Sequence, residues 1–100
     1  MAVASNTYPS SNNEVVGPLV KRGPDCSVQV ERTSGSGNVG SYQLQSSNSG
    51  ETFVNEGSAV STAVITEFAV KKQVVRVVQS TPPDSGTVVK VSLYADAPSE

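Results

Sequence analysis

Histidine and tryptophan are absent from this chain, cysteine and methionine occur once each, and only five of its 100 residues are aromatic. Without histidine there is no side chain whose ordinary titration falls near neutrality, and the commonest metal ligand is missing too. Without tryptophan the best cation–π platform is gone. Cys26 is the sole thiol, so no disulfide can close within the chain, although small exported domains are commonly stapled that way. Folding in a reducing cytoplasm is therefore expected. The opening residues Met1 to Thr7 carry neither a basic n-region nor an apolar h-region, so no secretory signal is predicted. No run approaches the ~20 apolar residues of a membrane-spanning helix, so a membrane is not an expected partner. The chain also has no Asn-x-Ser/Thr glycosylation acceptor.

Charge is scarce as well. Seven basic and nine acidic residues leave a net charge of −2 and a pI near 5.0. A protein that grips a phosphate backbone shows the opposite balance, so nucleic acid is not an expected partner. At 10.3 kDa the chain makes one domain, burying roughly 60 to 65% of its unfolded surface. Such a domain has a compact core and no room for a large internal substrate cavity.

What remains is mostly valine, serine, glycine and asparagine. β-Branched side chains keep more freedom in a pleated strand than against a helical turn, so 18 valines favour sheet. Cys26, Val28 and Val30 alternate with Ser27, Gln29 and Glu31, and Tyr42 and Leu44 alternate with Gln43 and Gln45. Both segments have period 2, which predicts half-buried strands. Further strands are predicted at Glu51 to Asn55, Val60 to Val70, Gln73 to Gln79 and Thr87 to Ala95. Glu14 to Arg22 is broken by Gly17-Pro18 and suits an edge strand or a bulge. A helix over residues 60 to 79 is the rival reading, because Val60, Ala63, Val64 and Phe68 sit near helical spacing; half of those 20 positions are β-branched, which favours strands.

The segment Thr33 to Gly40 reads as a flexible hairpin loop, and Asp84-Ser85-Gly86 after Pro82-Pro83 reads as a turn. The expected fold is all-β: a small, single-domain antiparallel β-sandwich or barrel of about seven short strands. Residues 1–13 are expected as a flexible or partner-ordered N-terminal arm, 14–95 as the β domain, and 96–100 as a C-terminal tail.

The chemistry available is thin. Cys26 has no histidine to deprotonate it and alternates inward with valines, so it reads as a small buried hydrophobe. None of the 16 serines sits in a Gly-x-Ser-x-Gly turn. Glu51 with Glu56, or Glu31 with Glu67, are the loose candidates for an acid/base pair, with no supporting spacing. Asp25, Asp84 and Asp96 are isolated, so no calcium loop or other metal site is expected. Gly35-Ser36-Gly37-Asn38-Val39-Gly40 matches Gly-x-Gly-x-x-Gly, but that motif holds a dinucleotide only by opening a helix. The expectation is no catalytic residue, no cofactor and no metal. Lys21-Arg22, Lys71-Lys72, Arg76 and Lys90 read as a solvated basic face that discourages edge pairing.

The positive signal is an excess of apolar residues on faces that should be wet. If Val75, Val77, Val89, Val91 and Leu93 point inward, then Val74, Val78, Val88 and Tyr94 point out. Either these are scattered surface valines, which monomers tolerate, or they meet another subunit. The leading expectation is a non-enzymatic structural or interaction module. It would be a subunit of a homo-oligomer or larger particle, such as a phage capsid, decoration or tail protein incorporated into a virion, with Val74, Val78, Val88, Tyr94 and Tyr8 at its interfaces. The alternative is a carbohydrate- or receptor-binding β module using Tyr42, Tyr94, Gln43, Gln45 or the glycine-rich loop.

Overall fold

Each predicted strand region contains a strand, though Glu51 to Asn55 is a strand only at Val54–Asn55 and Val60 to Val70 only at Ile65–Ala69, and one strand more is added. The computed structural model describes residues 2–8 and 15–95. Its strands are β1 (Ala2–Tyr8), β2 (Val15–Val20), β3 (Asp25–Ser34), β4 (Ser41–Ser47), β5 (Val54–Asn55), β6 (Ile65–Ala69), β7 (Val74–Thr81) and β8 (Val88–Ala95). They form two antiparallel four-stranded sheets, a first sheet in the order β1-β8-β3-β6 and a second in the order β2-β7-β4-β5.

The pairing has a simple logic. β1 pairs with β8, β2 with β7, β3 with β6 and β4 with β5, as in one long hairpin whose tip lies between β4 and β5. Rolling that hairpin up brings β8 beside β3 and β7 beside β4. The resulting strand order is that of a jelly roll.

Between the sheets lies a single layer of side chains. The first sheet contributes Tyr8, Cys26, Val28, Val30, Val89, Val91, Leu93 and Ala95; the second contributes Val16, Tyr42, Leu44, Val75 and Val77. Each fully buried valine or leucine adds about 1.5 to 3 kcal/mol relative to exposure. Tyr8 and Tyr42 reach across from opposite sheets, with ring centroids 5.3 Å apart at 44°. Tyr42 donates its hydroxyl to the Val39 carbonyl at 2.6 Å, which satisfies the phenol inside the core.

Three expectations are corrected, and the rival helix is excluded. Residues 2–8 are not a free arm but strand β1, paired through seven residues with β8. Ser5, Asn6 and Thr7 supply little apolar surface, yet a strand needs only backbone pairing and alternate inward groups, here Ala4, Asn6 and Tyr8. Residues 9–13 of the expected arm and the expected tail, 96–100, lie outside the described residues. Thr33 to Gly40 is not a hairpin loop, because β3 and β4 belong to different sheets and the segment crosses between them. The helical alternative over 60–79 gives way to an isolated bridge at Val60, then β6 and β7. Lys21 is not on a solvated face. Only 3% of it is exposed, and its ammonium donates to the Gly23 carbonyl at 2.8 Å and to the Val70 carbonyl.

That lysine closes one end of the sandwich. Its backbone amide also bonds the Gln73 carbonyl at 2.7 Å, and the Val70 amide bonds the Pro24 carbonyl at 2.7 Å. The exit of β2 is thereby tied to the β6–β7 connection. At the other end, the 35–40 crossover packs on the turn before β8. Asn38 and Asp84 exchange bonds, with the Asn38 amide donating to Asp84 Oδ2 at 2.9 Å and the Asp84 amide to the Asn38 carbonyl at 3.0 Å. The Gly37 amide donates to Thr87 Oγ1 at 2.9 Å.

At β2, Val16 and Leu19 pair with Val77 and Val75, so three steps along β2 span two along β7. The extra residue at Gly17-Pro18 is a bulge, and it turns both Val16 and Leu19 toward the core. A regular strand would send one of them out.

Two glycines with left-handed backbone test how tightly the ends are built. Gly40 has φ +91°, and a Cβ there would collide with the Thr81 carbonyl oxygen; Gly50 has φ +85° with open space around it. Gly50→Ala is expected to cost about 1 to 2 kcal/mol, the penalty of the left-handed conformation alone. Gly40→Ala is expected to cost about 3 kcal/mol or more, since strain and collision add. Urea denaturation of both variants measures the difference, and equal losses would show that the crossover is not packed as described.

Candidate interaction surface

The outer face of the second sheet carries an apolar cluster. Because the β2 bulge reverses parity, Val15 and Val20 both point outward, directly opposite Val78 and Val74 of β7. Val15, Val74 and Val78 are half-buried, and Val20 is 58% exposed. The four form two cross-strand valine pairs on the outer side of the sheet.

Beside this cluster the face turns polar and self-contained. The Arg76 guanidinium carbon sits 3.9 Å from the centre of the Phe53 ring, and Nε donates to Gln45 Oε1 at 2.9 Å. Gln45 in turn donates to Asn55 Oδ1 at 3.0 Å. The Gln43 amide donates to the carbonyls of Leu44 at 2.9 Å and Glu56 at 3.0 Å. On the inward side of the same margin, where Ser46 shares the parity of Tyr42 and Leu44, Glu56 accepts the Ser46 hydroxyl at 2.5 Å and faces Lys72 at 3.8 Å. The polar side chains of the outer face spend their hydrogen bonds within their own sheet.

The outer face of the first sheet is different. Along β8 it carries Val88, Lys90, Ser92 and Tyr94, and Tyr94 donates its hydroxyl to Gln29 Oε1 at 3.2 Å. Past the Tyr94 ring, an open hollow is lined by Asp25, Ser27, Glu67 and Ala69, with Cys26 and Phe68 beneath.

The sequence-predicted interface residues therefore do not converge. Val74 and Val78 lie together on the second sheet, while Val88 and Tyr94 lie on the opposite side of the sandwich. Tyr8 is fully buried, and its assignment to a surface is corrected: β1 turns it inward onto Tyr42. The residues proposed for sugar contact are scattered as well. Tyr42 is in the core, Gln43 and Gln45 are engaged within their own sheet, and Tyr94 is on the far face. Val15 and Val20 escaped sequence reasoning because Gly17-Pro18 signals a break without telling which way the parity turns afterwards. Among the described residues the large apolar groups with the greatest exposure are Val3, Val20, Val54, Val64 and Ile65. Each lies on an outermost strand of its sheet or, for Val64, directly before one.

The chemical candidates separate too. Glu67 pairs with Ser27, four residues along β3 from Glu31. That is roughly 13 Å at 3.3 Å per residue, beyond the carboxylate spacing of glycosidases. Gly35 to Gly40 leads into β4 and opens no helix. No group of three His, Cys, Asp or Glu residues is placed to hold a metal among the described residues. Among the described residues no helix is long and apolar enough to cross a membrane.

Burial pushes the Cys26 thiol above its ordinary value; the charge of Lys21 pulls the other way, and Asp25 and Glu56 add to the rise. Tyr42 is raised above its ordinary value mainly by burial. Both groups hold their protons more tightly folded than unfolded. Their contribution to stability is therefore complete below the ordinary thiol value of 9.0 and is lost as pH climbs through it toward the folded values. Urea midpoints are expected to stay level from about pH 7 to 8 and to fall by about pH 10. Cys26 is also expected to resist a disulfide reagent until the protein unfolds; rapid labelling of the native protein would contradict its burial.

Comparison with known proteins adds no relative, since no family model, no curated protein and no solved structure matches this chain.

Proposed function

We propose that this chain is a non-enzymatic structural module, a subunit of a larger particle such as a phage capsid, decoration or tail structure. It docks through the outer surfaces of its jelly roll. The observation that carries this reading is the cluster of Val15, Val78, Val20 and Val74 on the outside of the second sheet. Outward positions of a two-sheet sandwich contribute nothing to its core, and polar groups there would favour solubility. Two facing valine pairs at such positions supply apolar area that another subunit can cover.

Topology supports the reading without deciding it, because jelly rolls serve as capsid and lectin domains alike. Surface chemistry separates those two uses. A sugar site wants an aromatic platform ringed by free hydrogen-bonding side chains, whereas here Gln45 and Arg76 bond to each other, Gln43 donates to the Leu44 and Glu56 carbonyls, and Phe53 lies under Arg76. Valine pairs, by contrast, need only a complementary apolar surface. The virion setting rests on the absent disulfides and on the serine, asparagine, glycine and valine-rich composition.

Light scattering across a concentration series tests the proposal. The wild-type chain is expected to give a mass well above its 10.3 kDa monomer. The double variant Val74→Asp/Val78→Asp is expected to remain monomeric with an unchanged far-ultraviolet circular dichroism spectrum, because both side chains already face outward. Burying a carboxylate at each site without a partner would weaken the contact by about 3 kcal/mol or more. A wild-type monomer at every concentration would overturn the proposal.

A further inference from the structure

Resting on that reading of the chain as an assembly subunit, we infer a specific contact: strand β6 pairs with β6 of a second copy, antiparallel and centred on Thr66. β6 is the outermost strand of the first sheet. Its pairing with β3 places Cys26 opposite Phe68 and Val28 opposite Thr66. The flanking bonds, Val30 amide to Val64 carbonyl at 3.0 Å and Val70 amide to Pro24 carbonyl at 2.7 Å, fix which residues bond inward. Positions 64, 66, 68 and 70 bond toward β3. By the alternation of an antiparallel ladder, Ile65, Glu67 and Ala69 aim their amides and carbonyls away from the sheet.

This edge is poorly guarded. Natural edges are blunted by proline, lysine, bulges or brevity. β2 has Pro18 and its bulge, β5 has two residues, and β1 lies against β2. β6 has no proline, no lysine and an unbroken register, and it begins with Ile65 at 63% exposure, directly after Val64 at 45%. Glu67 is its single charge.

The partner is a second copy because the strand complements itself once Glu67 is accommodated. A twofold pairing centred on Glu67 would set two carboxylates directly opposite each other, which is destabilising. Shifting the centre to Thr66 sets Ile65 opposite Glu67 of the partner subunit, and the reverse. Each of those two pairs exchanges both backbone bonds, and the carboxylates are separated. A centre on Ile65 would leave only one such pair inside the strand. Centres on Thr66 and on Phe68 give equally long registers free of a like-charge clash; the Thr66 register is the one that covers Ile65, 63% exposed, and it joins the two first sheets into one eight-stranded sheet about a closed twofold.

A single cysteine tests it. In this register Thr66 faces Thr66 of the partner subunit as a close, non-hydrogen-bonded pair with Cα atoms about 4.5 Å apart, within reach of a disulfide. Cys26→Ala/Thr66→Cys is expected to form a covalent dimer on mild oxidation. Ile65→Lys, a change at an already exposed position, is expected to weaken self-association at least tenfold in sedimentation velocity and to abolish that cross-link. Should the Thr66→Cys protein fail to fold, the Ile65→Lys result decides. An oligomer that neither forms the cross-link nor responds to Ile65→Lys overturns this contact and leaves the subunit reading standing. A monomeric wild-type protein overturns both.

Discussion

Everything in this fold depends on one shared layer of side chains between two four-stranded sheets. A sandwich of about 10 Å spacing has room for a single interdigitated layer, so no strand contributes more than four inward residues. Valine suits that role because its χ1 is already restricted and its bulk is spent close to the backbone. Tyr8 and Tyr42 fill the wider region where one ring from each sheet can overlap the other. The bulge at Gly17-Pro18 answers the same constraint, since without it either Val16 or Leu19 would be lost from the layer.

The period-2 segments were legible for that reason. Val28, Val30, Leu44, Val75, Val77, Val89, Val91 and Leu93 all lie inward as their alternation predicts, and Val74, Val78, Val88 and Tyr94 lie outward. What escaped reading depends on partners remote in sequence. β1 is held by its ladder to β8, nearly the whole chain away, and Ser5-Asn6-Thr7 carries no apolar pattern to announce it. The 33–40 segment resembles any glycine-rich turn, and only the pairing of β3 with β8 and β6 shows that it crosses between sheets. Lys21 is buried because the carbonyls of Gly23 and Val70 happen to meet there, 49 residues separating it from the second.

The candidate surface was half legible for the same physical reason. Alternation identifies which residues leave the core, but not which of them share a face, because that follows from strand order. Val74 and Val78 acquire significance from Val15 and Val20, which the bulge brings beside them; Val88 and Tyr94 end on the opposite side. Exposed apolar groups gather at the margins of both sheets instead of their centres. A chain built this way offers its flat face and its margin as two separate apolar surfaces, and on the proposed reading two independent contacts per copy are the least that an extended particle requires.

The nested pairing also sets a timetable for synthesis. Only β4 and β5 are close neighbours in the chain; each further pair closes a larger loop around them, ending with β1 against β8. β1 is made before β8 and waits for it, so Tyr8 and the valines of the inner layer stay without their final cover until translation reaches Ala95. Loop closure of this kind slows folding and prolongs the interval in which strand edges from different nascent chains can meet. A paucity of charge that suits assembly after folding is a hazard before it, and the amount of chain being made at one time becomes a property the fold must tolerate.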